Sequence, residues 1–209
     1  MITLHHLNKS RSKRIIWLLE ELSVDYQIKA YQRDSKTQLA PQELKEIHPL
    51  GKSPVIDEDG FVLAESGAII EYLADRFAEN TLVPEKGTQD YALYLQWLHF
   101  AESSAMVPTL LKIFLALEPN DTQFLDHYAQ VELEKVMGYL DQELANKTYL
   151  VGNKLSGADI IMSFIPEVLQ QLGALQNYPN LQRYYATLSE NTHFQKANKL
   201  EAQYDTQSA

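Results

Sequence analysis

The apolar positions of this chain change period as it runs. Residues 2–7, ITLHHL, read as a short strand. Ile15, Ile16, Leu18, Leu19 and Leu22 then recur at helical spacing and give one apolar face on a helix of about three turns. Residues 26–31, YQIKAY, alternate as a strand with one buried face does. Strand, helix and strand at this spacing imply a right-handed crossover with parallel pairing. A short helix is expected near Pro41–Ile47, stopped by Pro49 and Gly51. Val55-Ile56 and Phe61-Val62-Leu63 form a hairpin with Asp59-Gly60 in its turn. Ser66 then caps a helix whose buried stripe is Ile69, Ile70, Leu73 and Phe77.

The first 80 residues are therefore β-α-β-α-β-β-α, a small mixed sheet flanked by helices. Residues 82–87, LVPEKG, read as a linker. Beyond it the pattern is helical, with helices expected near 88–117, 123–145, 157–172 and 181–190. The fold class is an α/β domain over residues 1–80 followed by an all-α domain over 88–205.

Bulk properties narrow the function. Of 209 residues, 45% are apolar and 22% charged, ordinary values for a globular protein, and the formal net charge is −10. Residues 1–80 hold 10 basic and 13 acidic side chains and residues 81–209 hold 8 and 15, so neither half offers nucleic acid a basic face. There are no cysteines, which excludes disulfides, thiolate metal sites and an enzyme thiol as nucleophile. The opening MITLHHLNKS lacks the apolar core of a signal peptide, and no run approaches a membrane span. A cytoplasmic protein without membrane or nucleic-acid partners is expected. The six histidines show no metal-site spacing, and His5 and His6 on a strand face opposite sides, so no metal is expected.

Three short stretches carry candidate chemistry. Pro54 enters a strand without a ladder donor, which assigns it to a sheet edge. A cis Ser53–Pro54 bond would leave the Val55 backbone facing outward, where an extended peptide can pair as an added strand; an ordinary trans proline is the simpler alternative. Glu65-Ser66 opens a helix whose first turn, Gly67-Ala68, shields no N–H groups. Such an end suits a carboxylate, and Glu65 beside it can accept from an ammonium group. The simpler alternative is a plain cap beside a solvated acid. Finally, Lys9, Arg11, Lys13 and Arg14 crowd the start of the first helix, where the dipole disfavours cations; this points to an anion nearby, with Ser10 or Ser12 as the cap.

The segments SRSKRIIWLLEEL, PLGKSPVI and LAESGAIIEYLADRF, in that order and spacing, resemble the cytosolic glutathione S-transferase family over essentially the whole chain. The opening of the chain looks most like a serine-type fungal and bacterial subgroup. The resemblance implies a thioredoxin-like N-terminal domain, a helical C-terminal domain, glutathione as co-substrate and a homodimer. It implies that Lys52, Ser53, Pro54, Val55, Glu65 and Ser66 bind glutathione. In that scheme Pro54 is the cis-proline and Val55 pairs its main chain with the cysteinyl part. Glu65 and Ser66 hold the γ-glutamyl headgroup, and Lys52 lies near the glycine carboxylate. Ser10 is placed as the catalytic hydroxyl facing the sulfur. Ser12 stands where serine-type relatives often carry proline, so Arg11 and Ser12 stay open beside Ser10 as the sulfur's partner.

The implied function is conjugation of glutathione, as thiolate, to small electrophiles in detoxification, with reduction of organic hydroperoxides as a further use. A non-catalytic binding or regulatory protein on the same fold is the alternative; a thiol-disulfide oxidoreductase would lack its cysteine. In the second half, Trp97, Phe100, Met106, Leu110 and Phe114 put apolar bulk on the first long helix, as core or as part of an acceptor-substrate pocket. Glu102, Ser103 and Ser104 interrupt it. Ser156-Gly-Ala-Asp159 reads as a capping box that serves folding.

Overall fold

A computed structural model describes residues 1–78, 81–118 and 120–206. Two compact units emerge, Met1–Asn80 with Ser189–Ala209, and Thr81–Leu188.

In the first unit, β1 (Ile2–Leu7) lies inside a four-stranded sheet of order β2-β1-β3-β4. It pairs in parallel with β2 (Tyr26–Tyr31), from Ile2 opposite Tyr26 to Leu7 opposite Tyr31. The crossover between them is α1 (Lys13–Glu21), in which Ile15 through Leu19 are all buried. After the short α2 (Glu43–Ile47), β3 (Val55–Glu58) runs antiparallel to β1, and β4 (Phe61–Ala64) closes the hairpin. Asp59 and Gly60 take φ of +51° and +93°, the left-handed pair a two-residue turn requires, and Asp57 accepts the Gly60 N–H. The helix α3 (Ser66–Phe77) buries Ile69, Ile70, Leu73 and Ala74. Thus the β-α-β-α-β-β-α order and the mixed sheet stand as expected.

A helix with no counterpart in the sequence reading, α10 (Thr192–Tyr204), completes this unit by packing on α1. Asn191 caps it, accepting from the N–H groups of His193 and Phe194, while its own amide donates to Glu21. Phe194 meets Trp17 edge to face at 4.9 Å. That second packed side explains why α1 buries seven residues in succession, Lys13 through Leu19.

The second unit is helical. α4 (Gln89–Phe100) and α5 (Met106–Leu115) are joined by a π turn over Ala101–Ala105. Pro108 lacks the N–H that would close on the Ser104 carbonyl, a physical reason for the widened turn. The long α6 (Gln123–Glu143) follows, then α7 (Gly157–Met162), α8 (Phe164–Gln171) and α9 (Pro179–Glu190). The single helix expected over 157–172 is split at Ser163, because Pro166 cannot donate to the Met162 carbonyl. Ser156 and Asp159 close the capping box as expected.

Buried Asp159 accepts from the N–H groups of Leu150 and Ser156 and from the hydroxyls of Ser156 and Tyr184. Burial nonetheless pushes its carboxyl up to about 6, against the pull of those four donors. No helix among the described residues is long and apolar enough to cross a membrane.

Candidate functional site

Strand direction gathers the candidate residues of the first unit at one end of the sheet. β1 and β2 finish there at Leu7 and Tyr31. β3 starts there, with Val55 opposite His5, and β4 finishes there, with Ala64 opposite Val55. The loop carrying Ser10, the segment Lys52–Val55 and the pair Glu65-Ser66 therefore all leave the sheet at the carboxyl end of β1.

The Ser53–Pro54 peptide bond is cis. Pro54 and Val55 are buried, and Lys52 is exposed. The edge placement expected for Pro54 and Val55 is corrected by the strand order, since β3 has a neighbour on each side and β4 takes the margin. Val55 is instead the last rung toward both neighbours. Beyond it the chain departs from the ladder, so backbone for an added peptide lies at the strand's start. Ser53 finishes the β1 side with its side chain: its hydroxyl donates to the His5 carbonyl at 2.7 Å and accepts the Leu7 N–H at 3.2 Å. Gly51 approaches from α2 with φ +58°, and a Cβ there would meet the Lys45 side chain at 2.6 Å.

Glu65 is the N-cap of α3, with Ser66 as its first helical residue; the expected Ser66 cap is corrected by one position. Glu65 has φ +73° and ψ 120°, a backbone that side-chain-bearing residues rarely hold. Its carbonyl accepts the first helical bond, from Ile69, and among the described residues no side chain caps the helix. The Glu65 carboxylate is exposed, while Ser66 is buried. An acid, a hydroxyl and uncapped N–H groups at a positive helix end suit a ligand headgroup carrying both an ammonium and a carboxylate.

In the loop between β1 and α1, Ser10 is buried, and its hydroxyl accepts the Ser12 N–H at 3.2 Å, doing the work expected of a cap. Ser10 and Ser12 share a hydrogen bond of 2.7 Å between their hydroxyls, and Ser12 shares another of 2.7 Å with His6 Nδ1. The anions expected near the basic cluster come in part from α10. Lys9 Nζ lies 3.5 Å from Asp205, the Lys9 N–H donates to Glu201 Oε1 at 2.7 Å, and Asn8 donates to Asp205. Lys13 sits over the Phe194 ring. Arg33, at the end of β2, donates to the Asn8 and Lys9 carbonyls and braces the loop. His6, Arg33, Glu201 and Asp205 are the residues the sequence reading missed. The only local signal was the spacing of Phe194, Ala197, Glu201 and Tyr204, one face of a helix.

His5 faces away from His6, sharing a hydrogen bond with the Tyr31 hydroxyl at 2.8 Å. Burial, then the nearby Lys29, lower its pKa. Among the described residues no group of three or more His, Cys, Asp or Glu could hold a metal ion.

In the helical unit, Trp97 and Met106 are buried, whereas Phe114 is 62% exposed and takes no part in a core. Trp97, Phe100 and Tyr139 form one aromatic cluster. Ser103 and Ser104 are exposed on the π turn, and Ser103 donates to the His99 carbonyl. A separate cleft of about 570 Å³ lies among Lys112, Leu115, Leu133, Glu134, Leu172 and Tyr178.

Residues 1–75 match the glutathione S-transferase N-terminal domain family, and residues 104–191 the corresponding C-terminal domain family. The chain is 35% identical over 206 residues to glutathione S-transferase 3 of Schizosaccharomyces pombe, covering 91% of this chain and 84% of that protein. The crystal structure of a glutathione S-transferase from Actinobacillus pleuropneumoniae superposes with a TM-score of 0.87 at 36% identity, covering 97% and 93% of the two chains. An elongation factor 1-gamma of Danio rerio is 34% identical over 147 residues, 66% of this chain and 32% of that one.

Proposed function

The chain belongs to the glutathione S-transferase family, and we propose that it is a serine-type member that holds glutathione as thiolate at Ser10 and transfers it to a small electrophile. Reduction of organic hydroperoxides is a second use of the same thiolate. The reading rests on one observation above all: strand direction brings Ser10, cis-Pro54 with Val55, and Glu65-Ser66 to the same end of one sheet. Each then has a distinct task. The backbone at the start of β3 pairs with the cysteinyl part of the tripeptide, and Lys52 lies toward the glycine carboxylate. Glu65 and the α3 end take the γ-glutamyl ammonium and carboxylate. Ser10 donates its hydroxyl to the sulfur.

The magnitudes are sufficient. A thiol of pKa near 8.5 is about 3% thiolate at pH 7. Lowering that pKa to about 6.5 requires ~2.7 kcal/mol. One charge-assisted hydrogen bond contributes about 1.5–3 kcal/mol. A homodimer in the cytoplasm, without metal, completes the proposal.

Purified protein mixed with glutathione and a chloronitrobenzene should form the conjugate, and Ser10→Ala should lower turnover while leaving glutathione affinity nearly unchanged. Equal turnover in the two proteins would remove Ser10 from its role. The likeness to an elongation factor 1-gamma favours a second reading, a non-catalytic binding or regulatory protein on this fold. Calorimetry separates the two, since a module with no glutathione site shows no binding heat at millimolar glutathione.

A further inference from the structure

Ionising a bound thiol leaves a proton to be placed, and Ser10 alone cannot keep it. Behind Ser10 the structure holds a continuous path. The Ser10 and Ser12 hydroxyls are 2.7 Å apart, Ser12 Oγ is 2.7 Å from His6 Nδ1, and His6 Nε2 is 3.1 Å from Glu201 Oε2. The His6 side chain is wholly buried. The His6–Glu201 contact is close but not aligned as a hydrogen bond, and neither atom has another hydrogen-bond partner among the described residues. A buried imidazole nitrogen facing a carboxylate oxygen keeps its proton there, which leaves Nδ1 as the acceptor for Ser12.

We propose that His6, charge-balanced by Glu201, receives the thiol proton of glutathione through Ser12 and Ser10. This rests on the reading of Ser10 as the sulfur's partner. In the step, the S–H bond breaks and its proton passes to Ser10 Oγ. The original Ser10 proton passes to Ser12 Oγ, and the original Ser12 proton passes to His6 Nδ1. Both hydroxyls are regenerated with their direction reversed, the electron pair stays on sulfur, and an imidazolium–carboxylate pair forms behind them. The protein gains the proton that glutathione loses, and none is exchanged with solvent. The reversal is the useful part: before it Ser10 points its proton inward to Ser12, and after it Ser10 donates to the thiolate. His6 and Glu201 act through the serines and are positioning residues.

The groups around the imidazole come from the loop and from α10. Ser12 faces Nδ1, Glu201 faces Nε2, and the Tyr204 ring lies edge-on at 6.4 Å. Glu201 is shared, because its other oxygen accepts the Lys9 N–H and its charge acts on Arg33 against that of Arg11.

The deciding measurement needs no variant. Glutathione is titrated into the protein at about pH 8, above the ordinary imidazole range, in two buffers of different ionisation enthalpy. Thiolate is read from its ultraviolet absorbance. The expected result is bound thiolate with clearly less than one proton released per thiolate; one full proton released would overturn the relay.

Variants supply the second arm. Glu201→Gln keeps a carbonyl for the Lys9 N–H while removing the charge. His6→Asn keeps an acceptor for Ser12 that cannot be protonated. Both should lower the thiolate fraction and turnover about tenfold or more, with glutathione affinity within about twofold. If Glu201→Gln and folded His6→Asn match the unaltered protein while Ser10→Ala fails, the relay is wrong and the Ser10 reading stands. If Ser10→Ala keeps its thiolate, both fall.

Discussion

The Ser53 hydroxyl donates to the His5 carbonyl at 2.7 Å, extending the β1–β3 ladder one step past its last rung. The same oxygen accepts the Leu7 N–H. Pro54 offers no donor at this point in the chain, so the side chain before it does the joining. Ser53→Ala removes both bonds and strands two backbone groups, an expected loss of about 1–3 kcal/mol of stability. Ser53→Thr keeps the hydroxyl and should restore most of it. Urea unfolding of the three proteins is the check, and equal midpoints for Ser53→Ala and the unaltered chain would dismiss the joining role.

The serines of the β1–α1 loop make a sharper pair of expectations. Ser10→Ala removes both the proposed donor to sulfur and the acceptor for the Ser12 N–H. It should lower kcat while glutathione binding by calorimetry moves little. Ser12→Ala leaves Ser10 its hydroxyl but cuts the link to His6, so it should lower kcat less than Ser10→Ala. The reverse ranking would transfer the sulfur contact to Ser12.

Much of this was legible in the chain itself, and the reason is locality. Strand period at 26–31, the Asp59-Gly60 turn and the Ile69, Ile70 and Leu73 stripe of α3 are each decided by residues within one element, and each stands in the structure, whereas Phe77, expected in that stripe, is only half-buried. Pro108 and Pro166 were equally local, yet helical periodicity hid them, because apolar spacing continues across a π turn and across the Ser163 break. The edge assignment of Pro54 failed for a different cause: which strand takes the margin depends on the β1–β3 pairing, and no residue near 54 encodes it. The environment of Ser10 was least accessible. Glu201 and Asp205, which accept from Lys9 and Asn8 in its loop, arrive only through packing of α10 on α1. The four cations at 9–14 did announce acidic company, but not where it came from.

Glu65 should separate binding from stability. Its φ of +73° is a conformation glycine holds without strain. Glu65→Gly removes a carboxylate proposed to accept from the ligand ammonium, worth about 1.5–3 kcal/mol and hence about 10- to 100-fold in glutathione affinity. Folding stability should hold or rise, since a strained backbone costs about 1–3 kcal/mol and the extra chain entropy of glycine about 0.5–1. Glu65→Ala loses the same affinity but keeps the strain, and should unfold first. Unchanged glutathione binding in both variants would remove Glu65 from the site.

Asp159 gives the helical unit a pH signature of its own. Its carboxyl, ordinarily near 3.8, titrates near 6 when folded because burial disfavours the charge more than four donors favour it. A pKa raised by folding means the folded state binds the extra proton. The associated stability is fully present below pH 3.8 and is lost as pH rises through about 6. The gap corresponds to about 3 kcal/mol. Asp159→Asn cannot titrate, so the stability difference between the unaltered protein and this variant should grow as pH falls from 7 to 4. The variant should also be less stable throughout, because its amide turns an N–H₂ group toward donors from Leu150, Ser156 or Tyr184. A difference that stays flat across this window would mean the folded carboxyl titrates at its ordinary value, with the four donors offsetting burial.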